Sequence, residues 1–279
     1  DQAVLDRLKA EYGLDQPWPV QYYKWIEGIV TRGDFGYSFE FNRPVSTLIW
    51  ERLALTVVLN IFVIGVIWAI AIPIGVYSAT HKYSWLDYLF NLVAFLGTGM
   101  PSFVLALVVM WMAFRYFGAD VGGLFSREYV SAPWSLAKVW DLLQHIWVPT
   151  LVLAVGGTSG LLRTMRANML DELPKPYVAT ARAKGLRESV VVRKYPLRVA
   201  LNPFVSSIAS VFPTLLSGAQ PTAIVLNLQT TGPLLLGALL SQDMYLAGSF
   251  ILILSVVGIL GTLVSDILLA VLDPRIRYD

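Results

Sequence analysis

Cysteine, charged residues and histidine are absent or scarce in this chain, and each scarcity argues against a class of site or of protein. There is no cysteine, so the chain can form neither a disulfide nor a cysteine-ligated metal site. Charged residues make up only 14% of the chain, whereas soluble domains carry about 25%. The two histidines, His81 and His145, are isolated and have no paired ligand spacing, so we interpret them as interfacial or capping residues.

Nucleotide-binding and hydrolytic signatures are also missing. The pattern Gly-x4-Gly-Lys-[Ser/Thr] does not occur, so we expect no P-loop and no ATP hydrolysis on this chain. No Ser, His and Asp set converges within the apolar runs, which argues against an intramembrane hydrolase. The chain is therefore predicted not to be an enzyme, and no metal or cofactor site is predicted on it.

What the chain has instead is long apolar runs. A bilayer core of about 30 Å needs about 20 apolar residues in a helix. Charged residues and histidine are absent from five runs, namely 53–80, 88–114, 146–162, 199–242 and 244–265. These runs predict an all-α membrane protein with five spans, approximately Leu53–Tyr77, Leu86–Phe114, His145–Leu162, Asn202–Leu216 and Tyr245–Leu272.

Basic residues predict the orientation of these spans. Nine Lys and Arg residues lie between Arg163 and Arg198, which places this segment in the cytoplasm by the positive-inside rule. Alternation then puts the N-terminal segment outside. Because no signal peptide is in view, we expect a sixth span upstream of Asp1.

The chain divides into two predicted parts. Residues 1–52 form an extracytoplasmic helical cap segment, with helices at Ala3–Tyr12 and Pro19–Ile29 and a turn at Arg32–Gly36. Residues 53–279 form the transmembrane domain, which includes the basic segment 163–200. Between Gly218 and Pro233 we expect a helix end followed by an irregular, partly re-entrant stretch.

Within the basic segment, Tyr177–Gly185 is predicted to be a short helix. Pro176 suits its first turn and Gly185 the residue just past its end. Ala179, Ala181 and Ala183 would allow close approach by another surface. Leu186–Leu197 is expected to continue as a helix toward the fourth span. From the residues alone, a loop that merely obeys the positive-inside rule is an equally open interpretation.

Polar groups inside the apolar runs are candidates for a transport path. The second span contains Gly97–Phe103, where glycine and proline leave backbone groups without their helical hydrogen-bond partners. This stretch is either a packing kink between helices or a break that faces the transport path. Each candidate could equally form an interhelical hydrogen bond. The candidates are Thr98, Ser102, Gln220, Asn227 and Gln229. Asp266 is as consistent with pairing near the helix end as with transport.

Several motifs resemble one family. Tyr177–Leu186, followed by Arg193 and Pro203, resembles the EAA loop of ABC importer permeases. Other matching segments occur in the right order and make the chain similar to the first permease subunit of oligopeptide and dipeptide importers: Tyr12–Pro17, Gly33–Ser38, Pro101–Phe103 and Leu272–Tyr278.

This resemblance implies the fold and the partners. The fold would be a type I ABC importer transmembrane domain. The chain would pair with a second homologous permease and two cytoplasmic ATPases, which carry ATP and Mg²⁺, and an extracytoplasmic binding protein would deliver the solute. No nucleic-acid partner is expected, and the chain would be a multi-pass protein of the bacterial or archaeal plasma membrane. The residues expected to couple to an ATPase are Tyr177, Ala179, Thr180, Ala181, Arg182, Ala183, Lys184, Gly185 and Leu186.

Two departures from the family pattern keep the solute open. The EAA triad lacks its acid at Val178–Ala181, and Val225–Pro233 lacks the usual Glu and Phe. Peptides are the first expectation, with oligosaccharides, opines or nickel as alternatives in the same architecture. An ATP-independent channel or secondary transporter, and a purely structural scaffold, are the alternatives of a different class.

Overall fold

The computed structural model describes residues 16–118, 121–202, 204–205 and 220–272. Most of this chain is helical, and one two-stranded antiparallel ribbon pairs β1 (Tyr37–Ser38) with β2 (Arg43–Pro44). The helices described are α1 Trp18–Arg32, α2 Val45–Thr80, α3 Trp85–Gly99, α4 Ser102–Phe117, α5 Leu136–His145, α6 Trp147–Glu172, α7 Pro176–Ala183, α8 Glu188–Lys194, α9 Pro196–Ala200, α10 Gln220–Val225, α11 Thr231–Leu240 and α12 Met244–Leu272.

Two predictions fall partly or wholly outside these residues. The expected helix Ala3–Tyr12 lies outside the described residues, and so does most of the expected fourth span, Asn202–Leu216. Among the described residues, two helices are long and apolar enough to cross a membrane, or up to four if each bent pair counts as one span. A count of five spans therefore stays a prediction.

The first span is longer than predicted. Helix α2 has 36 residues and begins at Val45, immediately after Pro44. Val45, Leu48 and Ile49 are buried, so the apolar periodicity that supports a helix starts before the charged pair Glu51 and Arg52. The run of uncharged residues alone did not reveal this earlier start.

The second predicted span is not one continuous helix. Helices α3 and α4 meet at an angle of 100° across Met100 and Pro101. Proline has no backbone N–H and disfavours helical geometry in the residue before it, so the helix ends at this point. Met100 is extended, with ψ at 120°. The interruption predicted at Gly97–Phe103 is therefore confirmed, as a sharp bend between two helices of 15 and 16 residues.

The third predicted span continues into the basic segment. Helix α6 runs from Trp147 to Glu172, well beyond Leu162, and is bent by 44° from α5. Arg163 and Arg166 therefore lie on a helix rather than in a loop. Arginine is among the better helix formers, so basic residues need not end a helix, and Arg166 also has a carboxylate partner on α3, described below.

The stretch after Gly218 is more regular than predicted. Helix α10 covers Gln220–Val225, and α11 begins at Thr231, so Gly232 and Pro233 lie in the first turn of a helix. Proline is well tolerated in a first turn, where its missing N–H has no partner to lose. The expectation of an irregular stretch up to Pro233 is therefore wrong for its last residues.

Buried apolar side chains form three main clusters, and two of them each join segments that are predicted to lie on the same side of the membrane. One cluster joins the start of α2 (Val45, Ile49) to α11 and to the start of α12 (Phe250), all of which are predicted to lie at the outer side. A second joins the opposite end of α2 to α6 and α9, including Met165 and Ala200, all predicted to lie at the inner side. The third, around Val63, fills the space between α2, α4, α6 and α10.

Close packing of α2 against α6 depends on glycine. A Cβ atom on Gly75 would lie 2.6 Å from Cβ of Met165 and 3.0 Å from the carbonyl oxygen of Leu162. A Cβ atom on Gly157 would lie 2.6 Å from Cδ1 of Ile67. Small residues let membrane helices approach closely, so these two glycines set the separation of the central helix pair.

The N-terminal part contacts α12. Helix α1 confirms the predicted helix at Pro19–Ile29, and it ends at Gly33 in a left-handed conformation, as the turn prediction requires. Nε1 of Trp25 donates to the carbonyl oxygen of Phe35 at 3.2 Å. Ser38 donates from Oγ to Asp243 at 2.6 Å, at the start of α12. These bonds fix the α1 and β-ribbon region against the predicted outer end of the helices.

Candidate functional site

Helix α7 lies between α6 and α8 in the basic segment, where the sequence predicted a short helix. Pro176 occupies the first turn. Val178 and Ala181, one turn apart, are buried and pack against Val191 of α8, with Tyr195 beside them. The helix prediction is confirmed, and the apolar pair shows that one face of α7 is held by its own chain.

The opposite face of α7 is exposed. Ala179, Thr180, Arg182 and Ala183 are accessible, and Thr180 satisfies its hydroxyl within the helix by donating to the carbonyl oxygen of Pro176 at 2.9 Å. Ala181 was expected to be available to another surface, but only 3% of it is exposed. The helical period places it beside Val178 rather than beside Ala179 and Ala183.

Gly185 terminates the helix in the conformation that glycine favours. Its φ is +76°, and its N–H donates to the carbonyl oxygen of Arg182 at 2.9 Å. A Cβ atom there would meet no neighbouring atom within 4 Å. The requirement for glycine therefore comes from the backbone conformation and not from crowding. Lys184, just before Gly185, and Leu186, just after it, are also exposed and extend the accessible surface of α7.

Polar contacts fix α7 at both of its ends. Glu172, the last residue of α6, accepts hydrogen bonds from Lys175 at 2.6 Å and from the hydroxyl of Tyr177. Arg182 donates to Glu188 of α8 at 2.7 and 3.0 Å. These hydrogen bonds from the Arg182 guanidinium hold the pKa of the Glu188 carboxyl below its usual range. Motion imposed on α7 would therefore reach α6 and α8 directly.

The segment after Gly185 is not one helix. Residues Leu186–Leu197 were expected to be continuous, but α8 ends at Lys194 and α9 begins at Pro196. Tyr195 between them has ψ at −79°, and Pro196 cannot donate a backbone hydrogen bond. The proline therefore divides the expected helix into two short ones.

A second polar cluster was missed by the sequence reasoning. Asp87, which is 1% exposed near the start of α3, accepts two hydrogen bonds from Arg166 of α6, each 2.8 Å long. It also accepts from the backbone N–H of Tyr83 at 3.0 Å and from Asn91 at 2.7 Å. Asp87 and Arg166 are far apart in sequence. One feature of the sequence could have indicated this pair: Asp87 directly precedes the apolar run 88–114, on the same predicted side of the membrane as the basic segment 163–200.

Among the predicted path residues, Ser102 makes an interhelical contact. It opens α4 directly after the break, and its hydroxyl lies 2.7 Å from that of Thr222 on α10. Gln220 is the first residue of α10, so the structure brings the helices of these two candidates together. Of the two roles considered for Ser102, the structure therefore shows the interhelical hydrogen bond.

Thr98 lies on the other side of the same break and contacts a different helix. Its hydroxyl donates to the carbonyl oxygen of Ala94 at 2.9 Å and accepts from Arg163 of α6 at 3.2 Å. Arg163 and Arg166 thus both connect α6 to α3, through Thr98 and Asp87 respectively. The sequence identified these arginines only as cytoplasmic charge.

Asn227 and Gln229 lie in the connection between α10 and α11. Asn227 is exposed and adopts a left-handed conformation with φ at +50°, which asparagine tolerates better than most residues. Gln229 is half-buried and lines a cavity with Arg52 and Lys138. These two candidates therefore do not share the surroundings of Ser102.

The two histidines have local roles. The His81 ring stacks on Tyr77 at 4.3 Å between ring centroids, and Nδ1 of His145 lies 2.8 Å from the carbonyl oxygen of Asp141. In the part of the chain that the structure describes, no three His, Cys, Asp or Glu side chains come together as a set that could hold a metal ion.

Comparisons with known proteins agree with this architecture. The chain is 36% identical over 278 residues to a putative peptide permease protein of Brucella suis biovar 1, covering 99% of this chain and 85% of that protein. It is 34% identical over 279 residues to the oligopeptide transport system permease protein AppB of Bacillus subtilis, covering 99% and 86%. It is 31% identical over 294 residues to the dipeptide transport system permease protein DppB of Alkalihalophilus pseudofirmus, covering 99% and 86%.

A solved structure and a family match complete the comparison. The MetNI methionine ABC transporter, in an inward-facing form, has a chain with a TM-score of 0.58 and 17% identity, covering 82% of this chain and 96% of that one, which shows the shared fold. Residues 1–60 match the N-terminal region described for membrane components of binding-protein-dependent transport systems. Residues 71–278 match the main family. The chain is a multi-pass inner membrane protein with the type I ABC importer fold, and it belongs to the family of binding-protein-dependent transport system inner membrane components.

Proposed function

We propose that this chain is one of two membrane-spanning subunits of an ATP-driven importer that takes up dipeptides and oligopeptides. Relatives named as peptide, oligopeptide and dipeptide permeases match it along 99% of its length. They support the solute class, and the family description supports dependence on a binding protein. The second permease would be a homologous chain that completes the path.

The observation that carries this proposal is the construction of α7. A short helix presents Ala179, Thr180 and Ala183 to solvent and buries Val178 and Ala181 against α8. An isolated eight-residue helix is marginal in water, so the contacts with α6 and α8 are what keep it formed. A rigid helix with small exposed residues suits docking into a cleft on another protein.

The transport cycle follows from these connections. ATP and Mg²⁺ would bind to two cytoplasmic ATPase subunits, whose closure would move α7. Glu172 and Arg182 would pass that motion to α6 and α8, and Arg166 would pass it on to Asp87 of α3. The α3–α4 break would then respond as the assembly alternates between inward-facing and outward-facing states. ATP and the loaded binding protein can shift this equilibrium only by binding the two states differently.

Reconstitution tests the proposal. The chain, its partner permease, two ATPase subunits and the binding protein would be assembled in proteoliposomes loaded with ATP, and dipeptide uptake would be measured. We expect uptake that requires ATP, the binding protein and this chain. Uptake by this chain without an ATPase would identify a channel or secondary transporter, and a binding protein that holds an oligosaccharide, an opine or nickel would change the solute class.

A further inference from the structure

A cavity of about 540 Å³ lies at the predicted outer side, between the start of α2 and the loop before α5. Its volume falls within the range of small-ligand sites, about 300–1,000 Å³. The walls combine aromatic and aliphatic side chains with a cluster of charged and amide groups. The lining includes Arg43, Glu51, Arg52, Phe125, Trp134, Lys138 and Gln229.

Only one of the three cations around this cavity has a carboxylate partner. Arg43 pairs with Glu51 at 2.8 Å, and both are exposed. Lys138 is 6% exposed, and its ammonium group donates to the carbonyl oxygen of Ala132 at 2.6 Å. Among the described residues neither Lys138 nor Arg52 forms an ion pair. With three cations and one acid, Glu51, the lining has an excess of two positive charges.

The Lys138 ammonium group is held in place by aromatic rings. It lies 4.9 Å from the ring centroid of Phe125 and 5.3 Å from that of Trp134. Asp141, one turn further along α5, accepts hydrogen bonds from Ser126 instead, one of them 2.8 Å from the Ser126 backbone nitrogen. The Lys138 side chain therefore has no ion-pair partner among the described residues, although an acid lies on the same helix.

Arg52 is the group best suited to a ligand. It is half-buried on α2, and within the described part of the chain its guanidinium makes no hydrogen bond. Its neighbour Glu51 is already engaged by Arg43. Arginine presents a planar fork of N–H donors that matches the two oxygens of a carboxylate. The Glu51 carboxylate acts on the Arg52 guanidinium but is hydrogen-bonded to Arg43, so a second carboxylate from a ligand would offset the cost of partly burying this guanidinium.

We propose that this cavity binds the C-terminal carboxylate of a peptide on its way into the translocation path. Arg52 would donate both hydrogen bonds, Lys138 would add positive potential, and Trp134 would contact the adjacent side chain. Gln229, already a predicted path residue, would hydrogen-bond the last peptide group. This inference rests on the proposed function, because it assigns the part of a peptide solute that the permease recognises.

The absence of cysteine makes a direct test available. A single Ser131→Cys change in the assembled transporter gives one thiol in the cavity lining, at a residue that is not assigned to the peptide. Its labelling rate would be compared for the sulfonatoethyl and aminoethyl methanethiosulfonates, which are similar in size and opposite in charge. Positive potential should favour the anionic reagent by about tenfold. N-acetyl-dialanine should slow labelling, whereas its methyl amide, which lacks the carboxylate, should not.

Arg52→Gln in the same background should abolish both the charge preference and the protection. Arg127→Gln removes the same charge from an exposed site outside the cavity and should keep both. Arg52→Lys retains the charge and shows whether the region folds: it should keep the preference and lose part of the protection. Equal protection by acid and amide, or protection that survives Arg52→Gln, would overturn the inference.

The same proteoliposomes separate the two proposals. Absence of ATP-dependent dipeptide uptake in the unsubstituted transporter would contradict the proposed function. Normal uptake without protection at position 131 would instead contradict only the carboxylate site.

Discussion

At the scale of single residues, the ion pair between Asp87 and Arg166 joins the start of α3 to α6 and is largely buried. The carboxylate side chain is 2% exposed and the guanidinium side chain 22%. Removing one partner of a buried pair leaves an uncompensated charge and is far more costly than removing an exposed pair. The pair therefore fixes the start of α3 against α6.

We expect Asp87→Asn to lower the stability of the assembled protein by about 3 kcal/mol, the low end for a broken buried pair because Arg166 keeps some contact with water. Glu51→Gln breaks the exposed pair with Arg43 and should cost less than about 1 kcal/mol. Thermal unfolding in detergent, followed by tryptophan fluorescence, measures both. Equal melting temperatures for the two variants would contradict a fixing role for Asp87.

Two glycines on the same helix allow a second residue-scale comparison. Gly75→Ala would place a methyl group 2.6 Å from Cβ of Met165 and 3.0 Å from a backbone oxygen, so α2 and α6 must move apart. We expect a loss of about 1–3 kcal/mol, typical of overpacking. Gly65→Ala meets no atom within 4 Å and should leave the melting temperature unchanged or raised. A similar loss in both variants would show that helix flexibility matters rather than separation.

At the scale of elements, α7 and its terminal glycine could be predicted because their determinants are local. Pro176 and Gly185 lie within one short segment and act through the local backbone, whereas the burial of Ala181 beside Val178 depends on contact with Val191 of α8 and was not predicted. The Asp87–Arg166 pair could not be predicted, since it depends on which faces of α3 and α6 meet.

The break between α3 and α4 was only half predictable. Pro101 and the nearby glycines located it, but an angle of 100° depends on packing against α6 and α10 that the local sequence does not specify. The length of α6 was underestimated for a similar reason: a charged residue ends an apolar run but not necessarily a helix, and Arg163 and Arg166 find partners on α3.

The element-scale prediction concerns the end of α7. Gly185→Val forces a β-branched residue into φ of +76°, at a cost of about 1–3 kcal/mol, and should displace the end of the helix. Gly118→Val imposes the same kind of strain at the end of α4, where φ is +61° and again no atom lies within 4 Å.

ATP-dependent uptake in proteoliposomes distinguishes these two variants. We expect a loss of tenfold or more for Gly185→Val and a smaller loss for Gly118→Val, since only the first adjoins the proposed coupling helix. Comparable uptake by both variants, at comparable amounts of protein, would argue that Gly185 has only a structural role.

At the scale of the whole molecule, the helices form a route from the predicted cytoplasmic side to the predicted outer side. Contacts lead from α7 through Glu172 to α6, and through Arg166 to α3 and the break at Pro101. Beyond the break, Ser102 contacts Thr222 of α10. The connection that follows α10 contains Gln229, which lines the cavity with Arg52 and Lys138. The fold class and family were predictable from apolar runs and motifs, whereas this route required the tertiary contacts.

The most direct test of the account is a cysteine scan of α7 in the assembled transporter. Single cysteines at Ala179, Thr180, Ala181 and Ala183 would be treated with a short bifunctional thiol reagent, in the presence of a cysteine at the ATPase cleft. The exposed positions 179, 180 and 183 should cross-link to the ATPase, and the yield should change on addition of ATP. The buried position 181 should not react. No cross-link from any exposed position, with or without ATP, would contradict the coupling role of α7.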